Sequence, residues 1–207
     1  DTYCNLIMKE ADNGMNQVLV NRPVLEEYIR RQYPGFKLIS STTKRITGLD
    51  GLLEELNKDY FLVVLDYDLN YNEEVLSAIG KQADKVEILV NEICYPGCPK
   101  RSEHYRQQSQ MQLEYDIDTA FPCPNKTRER KFEECKERPS FISREQIREY
   151  VDRGFVNFKI VGRGMPMDFV KESYLYYLVK DDSRAFIRNK MESTLNQFAQ
   201  AMKKRKA

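Results

Sequence analysis

The sequence predicts an α/β protein built as a (β/α) barrel of the TIM type. Apolar strand-like runs alternate with stretches of helical periodicity along most of the chain. Repeated βα units imply parallel strands joined by right-handed crossovers. One run, Tyr60 to Leu65 (YFLVVL), is apolar almost throughout, as a strand covered on both faces requires. Polar side chains and thiols gather just after strands, the end of the strand at which barrels carry their chemistry.

The elements follow in order. Asp1 to Asp12 reads as the end of a helix stopped by Asn13-Gly14, with Cys4 as a small core residue within it. Gln17 to Val20 is a short strand. Asn21-Arg22-Pro23 opens a helix with Val24, Leu25, Tyr28 and Ile29 at helical spacing. Lys37 to Ile39 is the next strand. The Ser40-Ser41-Thr42-Thr43-Lys44 stretch behind it suits either an anion or helix capping. Gly51 to Asn57 is helical, and YFLVVL follows. Asp66, Asp68 and Asn70 come next, suited either to orienting a substrate or ligand or to capping the helix that follows, from Asn72 to Lys81 and capped by Asn72.

Val86 to Val90 is a strand that runs into Asn91-Glu92, a C-x3-C loop at Cys94 and Cys98, and a polar helix after Pro99. Thr119 to Pro139 has little apolar periodicity and holds Cys123 and Cys135. A segment of that length needs something to tie it down. Ser140 to Ile142 reads as a short strand, and Ser143 caps a helix with Gln146 three residues on. Val156 to Val161 is a strand. The Gly162-Arg163-Gly164 turn then brings backbone and a guanidinium to the strand ends. Pro166 starts a helix, and a last amphipathic helix runs from Ala185 to Lys204.

That makes about six strands against the eight of a closed barrel, and the chain opens at Asp1 inside a helical pattern. The first one or two βα units are therefore expected to be missing. The barrel portion spans residues 1–180, with a Cys-rich insertion at about 94–139. Residues 181–207 form a C-terminal helix with a basic tail.

Composition narrows the classes. The 33 Lys and Arg against 32 Asp and Glu leave a formal charge of +1, so no global field points to nucleic acid or membrane. No apolar run reaches the ~18 residues of a membrane span, and no secretory signal is present. Five cysteines without an export signal fit a cytoplasmic protein, where clustered thiols are more often ligands than disulfides.

Cys94, Cys98, Cys123 and Cys135 are spaced C-x3-C-x24-C-x11-C. Four thiolates suit an iron–sulfur cluster or a zinc ion, and free thiols stay open as a third reading. The C-x3-C-x2-C of the radical enzymes that cleave S-adenosylmethionine is absent, because Pro99, Lys100 and Arg101 follow Cys98. His104, the single histidine, lies where it can serve as a ligand, a proton donor or a simple hydrogen-bonding residue.

VNEICYPGCPKRSEHY and FISREQIREYVDRGFVNFKIVGR resemble the collagenase-like peptidase family U32 and its bacterial relatives, over about Tyr60 to Leu178. The resemblance implies a TIM-like barrel, often holding a [4Fe-4S] cluster. Cys94, Cys98, Cys123 and Cys135 would be its ligands, and Arg163 would line the barrel mouth. Some relatives take part in oxygen-independent hydroxylation of RNA bases or of the ubiquinone ring; others carry a peptidase label. The family's Cys in a Ser/Gly-rich loop is not present here.

Three functional readings follow. One is an iron–sulfur enzyme of redox or hydroxylation chemistry, fed by an electron donor. In it Asn91, Glu92, His104 and Arg163 position a small polar substrate or RNA. The second is a metal-assisted, peptidase-like hydrolase, although no H-E-x-x-H pair exists. The third is a binding module in which a structural zinc pins the insertion.

Overall fold

The computed structural model describes residues 2–116, 119–123, 130–162 and 164–206, with side chains through 202. Helix α1 (Thr2–Ala11) leads into β1 (Gln17–Val20), α2 (Pro23–Gln32), β2 (Lys37–Ser40), α3 (Leu49–Leu56), β3 (Leu62–Val64), α4 (Glu73–Ile79) and β4 (Val86–Leu89). Next come α5 (Arg101–Glu114), α6 (Phe132–Lys136), α7 (Arg144–Asp152), β5 (Asn157–Lys159), α8 (Met167–Leu178) and α9 (Asp181–Lys206). The strands form one five-stranded sheet in the order β1-β2-β3-β4-β5, and every pairing is parallel. Strand order never reverses among the described residues, unlike a doubly wound sheet, whose order turns back at a switch point.

Side chains alternate across a strand, and both faces of the sheet are apolar. Val20, Leu38, Val63, Val86 and Ile88 meet Ile29 of α2, Leu52 and Leu56 of α3, Val75 and Ile79 of α4 and Tyr150 of α7 in the main core. On the opposite face Ile39, Leu62, Val64 and Leu89 form a smaller cluster with Val161. Each fully buried aliphatic side chain contributes about 1.5–3 kcal/mol. α1 buries none of its residues, so Cys4 is exposed on it and not in the core.

The local signals operate as chemistry requires. Asn72 accepts a hydrogen bond from the Val75 amide at the start of α4. Ser143 and Gln146 form a reciprocal capping box at α7. Pro23 occupies the first turn of α2. The expected strand at Ser140 to Ile142 does not form. Ile142 donates one backbone hydrogen bond to Val90 (2.9 Å), and the chain turns at once into the α7 cap.

Two buried carboxamides hold the strand ends in place. Asn70 donates to the carbonyls of Leu89 (3.0 Å) and Ser140 (3.1 Å). Asn91 donates to Val161 O and Ser173 Oγ, both at 3.1 Å, and accepts from the Val161 amide at 2.6 Å. β4, β5 and α8 are thereby joined at one point. α9 docks on α8 through Lys171–Glu192 (2.8 Å) and Arg188–Glu172 (2.7 Å). Among the described residues no helix is long and apolar enough to cross a membrane.

A polar cluster joins β2, α2 and α3. Glu55, 3% exposed, takes hydrogen bonds from Ser40 Oγ (2.5 Å), Lys44 Nζ (2.7 Å) and Lys58 Nζ (2.8 Å). Burial alone would raise its carboxyl, but the Lys44, Lys58 and Ser40 hydrogen bonds bring it down to about 2. The folded value lies below the ordinary 4.5, so this stabilisation is complete above that pH and fades as pH falls toward 2. In denaturant titrations the Glu55 share of the stability lost over that window is expected to be roughly 3 kcal/mol. A Glu55→Gln chain should lose that share, and the difference between the two chains' pH profiles measures it.

Candidate functional site at the strand ends

Three loops meet beyond the C-terminal ends of β2, β3 and β4. The first delivers Arg45, whose backbone sits in the left-handed region at φ 60°. The second delivers Asp66, Tyr67 and Asp68 in a short 3-10 turn in which Asp66 caps the Asp68 amide. The third carries Glu92, Cys94 and Cys98 and ends in α5, whose first residue is Arg101.

Arg101 is 1% exposed. Its Nη1 reaches Asp68 at 2.9 Å and Asp66 at 3.6 Å, and its Nη2 donates to the Tyr95 carbonyl. The guanidinium lies over the Tyr67 ring, 3.9 Å from its centre. Arg45 binds the same two acids, Asp66 at 2.5 Å and Asp68 at 2.9 Å. Two cations and two anions thus alternate with little water. Burial pushes Asp66 above the usual carboxylate range. For Asp68 burial acts the same way, but the hydrogen bonds from Arg45 and Arg101 outweigh it and hold it low.

Against this grid lies a second group: Tyr67, Glu92, Cys94 and Tyr105. The Tyr67 hydroxyl is buried without a well-formed hydrogen bond, and Cys94 and Tyr105 are its polar neighbours. Glu92 accepts a hydrogen bond from the Cys94 amide at 3.0 Å, and burial raises its carboxyl. Burial also raises the Cys94 thiol, and it pushes Tyr105 up to about 12. At neutral pH Cys94 is therefore a thiol and not the thiolate that nucleophilic attack needs.

Tyr105 and Arg45 also line a polar cleft of about 720 Å³ between α5 and the loops after β1 and β2. That volume lies within the range of ligand sites.

Cys98, Cys135, Cys123 and His104 are the other described candidates. Cys98 is buried, and its carbonyl accepts the Arg101 amide. Cys135, fully buried beside Phe132 and Phe169, points its thiol at the carbonyls of Asn91 (3.1 Å) and Glu92 (3.8 Å). Burial pushes that thiol up to about 12. Cys123 is half-buried, two residues from Phe121, whose ring stacks on His104 with centres 4.4 Å apart. Burial and then Arg130 lower the His104 imidazole, which favours its neutral form. Arg163 lies outside the described residues.

Cys94, Cys98 and Cys135 therefore lie near the loop after β4 and Cys123 lies near α5, but their thiols do not close on a point. Among the described residues no three His, Cys, Asp or Glu side chains form a group able to hold a metal ion. The Cys135 thiol is directed at two backbone carbonyls and not toward the other cysteines. As arranged, these residues do not fit a four-thiolate centre.

No family model matches the sequence, and no solved structure matches it. A curated protein of Methanocaldococcus jannaschii, named "Uncharacterized protease MJ1657", is 27% identical over 184 residues, 86% of this chain and 54% of that protein. The chain thus spans about half the length of this relative. The similarity is consistent with a U32-like relationship.

Sequence reasoning marked Glu92, Cys94 and the acids after β3, because they directly follow apolar runs. It missed Arg45, Tyr67 and Tyr105. The one signal in the sequence was the acid pair of Asp66-Tyr67-Asp68 directly after a strand, which calls for cations from elsewhere. Replacing Arg101 with Met is expected to cost roughly 3–5 kcal/mol, because it leaves buried aspartates short of a partner. Equilibrium unfolding of Arg101→Met at neutral pH checks this.

Proposed function

We propose that this chain is the site-bearing part of a TIM-like (β/α) barrel protein of the U32 type, and that it hydrolyses amide bonds in peptides by acid–base chemistry at Glu92. The observation that carries this reading is the grouping of Glu92, at the end of β4, with Tyr67, Cys94 and Tyr105, the last of which lines the polar cleft; burial raises the Glu92 carboxyl there. A carboxyl shifted toward neutrality can take a proton from water and return it within one cycle. The printed name of the Methanocaldococcus jannaschii relative, a protease, agrees with the class.

In this reading Glu92 takes a proton from water as the water oxygen bonds to the amide carbonyl carbon. The Tyr105 hydroxyl donates to the carbonyl oxygen as charge develops there. Glu92 then passes its proton to the leaving nitrogen as the C–N bond breaks. The Arg45–Asp66–Arg101–Asp68 grid fixes the field around these groups. His104, stacked on Phe121, takes no part.

A peptide-library cleavage assay tests the assignment. Glu92→Gln is expected to lower the rate by about 10²–10⁴, Tyr105→Phe by about 10²–10³, and His104→Ala to leave it within a few-fold. Cleavage by Glu92→Gln at the parent rate would sink the reading.

A second reading is favoured by three cysteines near the end of β4, Cys94 and Cys98 in the loop after it and Cys135 against the Asn91 and Glu92 carbonyls. In it Cys94, Cys98, Cys123 and Cys135 rearrange to hold a [4Fe-4S] cluster, with redox or hydroxylation chemistry, or a structural zinc ion. Metal and sulfide analysis of protein purified without oxygen decides it. Iron with sulfide, released by Cys123→Ser but not by Cys4→Ser, would support the cluster. Zinc without sulfide would make the site structural, and metal-free protein that cleaves peptides would leave the acid–base reading.

A further inference from the structure

The cleft beside Tyr105 has a charge pattern that the catalytic reading does not use. Its cationic lining residues are Arg22, Lys44, Arg45 and Arg106, and among the described residues no acid lines it. Two of these cations are already matched. Lys44 is bound to Glu55 (2.7 Å) and Glu26 (3.4 Å), and Arg45 to Asp66 and Asp68. Arg22 and Arg106 are exposed and form no ion pair among the described residues. They stand on different walls, Arg22 where the chain enters α2 and Arg106 on α5.

The α5 wall is a single helix face. Ser102, Tyr105, Arg106, Ser109 and Gln112 recur at spacings of three and four, so they form one stripe. From 102 to 112 that stripe runs about 15 Å at 1.5 Å per residue. An extended chain at about 3.3 Å per residue fills it with four or five residues. Across the cleft Asn21 donates to Thr43 Oγ1 at 2.5 Å, which fixes the facing polar wall.

Resting on the peptide reading above, we infer that this cleft selects peptides with acidic side chains, gripped between Arg22 and Arg106. A guanidinium matches a carboxylate with two parallel hydrogen bonds. The Gln and Ser side chains of α5 match the donors and acceptors of a peptide backbone. Nucleic acid is the weaker fit, since single strands are held on aromatic platforms and Tyr105 is the cleft's one aromatic residue, its hydroxyl turned to Tyr67 and Glu92.

Fluorescence polarisation on Glu92→Gln protein tests this without consuming the ligand. The probes are a labelled hexapeptide with alternating Glu, its Gln and Lys counterparts, and a six-residue oligothymidylate. The Glu peptide is expected to bind about tenfold or more tighter than the Gln peptide, and to weaken steeply as salt rises. Arg22→Gln and Arg106→Gln are each expected to weaken it by about threefold to tenfold, and Arg31→Gln, outside the cleft, to leave it unchanged.

Equal binding of Glu and Gln peptides, tighter binding of the oligonucleotide, or full affinity in both arginine variants would overturn the inference. The catalytic reading fails separately. Acidic peptides that bind as described but are never cleaved by the parent chain would remove the hydrolysis and leave the recognition. Cleavage without acidic preference would do the reverse.

Discussion

A guanidinium with almost no contact with water cannot stand alone, and Arg101 is such a group. Its charge is tolerable only because Asp66 and Asp68 arrive from the end of β3 and the Tyr67 ring covers its face. That demand places the loop after β4 against the loop after β3. Arg45 binds the same two acids, so the end of β2 joins the arrangement. Three consecutive strands are tied at one end by alternating charge. Arg101 is also the first residue of α5. The direction of that helix, and with it the placement of Tyr105 and Arg106, follows from where one guanidinium is neutralised.

The rest of the sheet end is held by neutral groups. Asn70 donates to the carbonyls of Leu89, at the end of β4, and Ser140, and Asn91 to that of Val161, past β5. An amide does this without the desolvation cost of an ion. The two modes divide the strand ends. Ionic contacts hold the side facing the cleft, and carboxamides hold the side facing α8. Glu92 lies at their boundary, close to Arg101 yet without a cation bonded to its carboxyl among the described contacts. Such a position raises a carboxyl where its neighbour Asp68 is lowered.

Much of the fold was legible because it is written in local pattern. YFLVVL had to be a covered strand, and Asn72 and Ser143 had to cap helices; each signal lies within a few residues of its effect. Ser140 to Ile142 misled because three residues flanked by turns satisfy a strand pattern without a ladder to join. At the site, Glu92 and Cys94 were visible as polar residues after an apolar run. Arg45 was not, since its partners lie 21 and 23 residues ahead. Cys135 shows the limit of spacing arguments. A ligand and a small core residue have the same letter, and spacing alone does not show that Cys135 packs among aromatic side chains.

Arg45 also holds a backbone conformation that side chains avoid, at a cost of about 1–3 kcal/mol. Glycine would relax the chain there and abandon two aspartates; lysine would keep a charge but lose the fork that spans both. Local conformational preference and long-range charge therefore pull in opposite directions at one position. A thermostability screen that replaces strained residues by glycine would select this position and damage the site. Here stored backbone strain marks a residue kept for its distant partners.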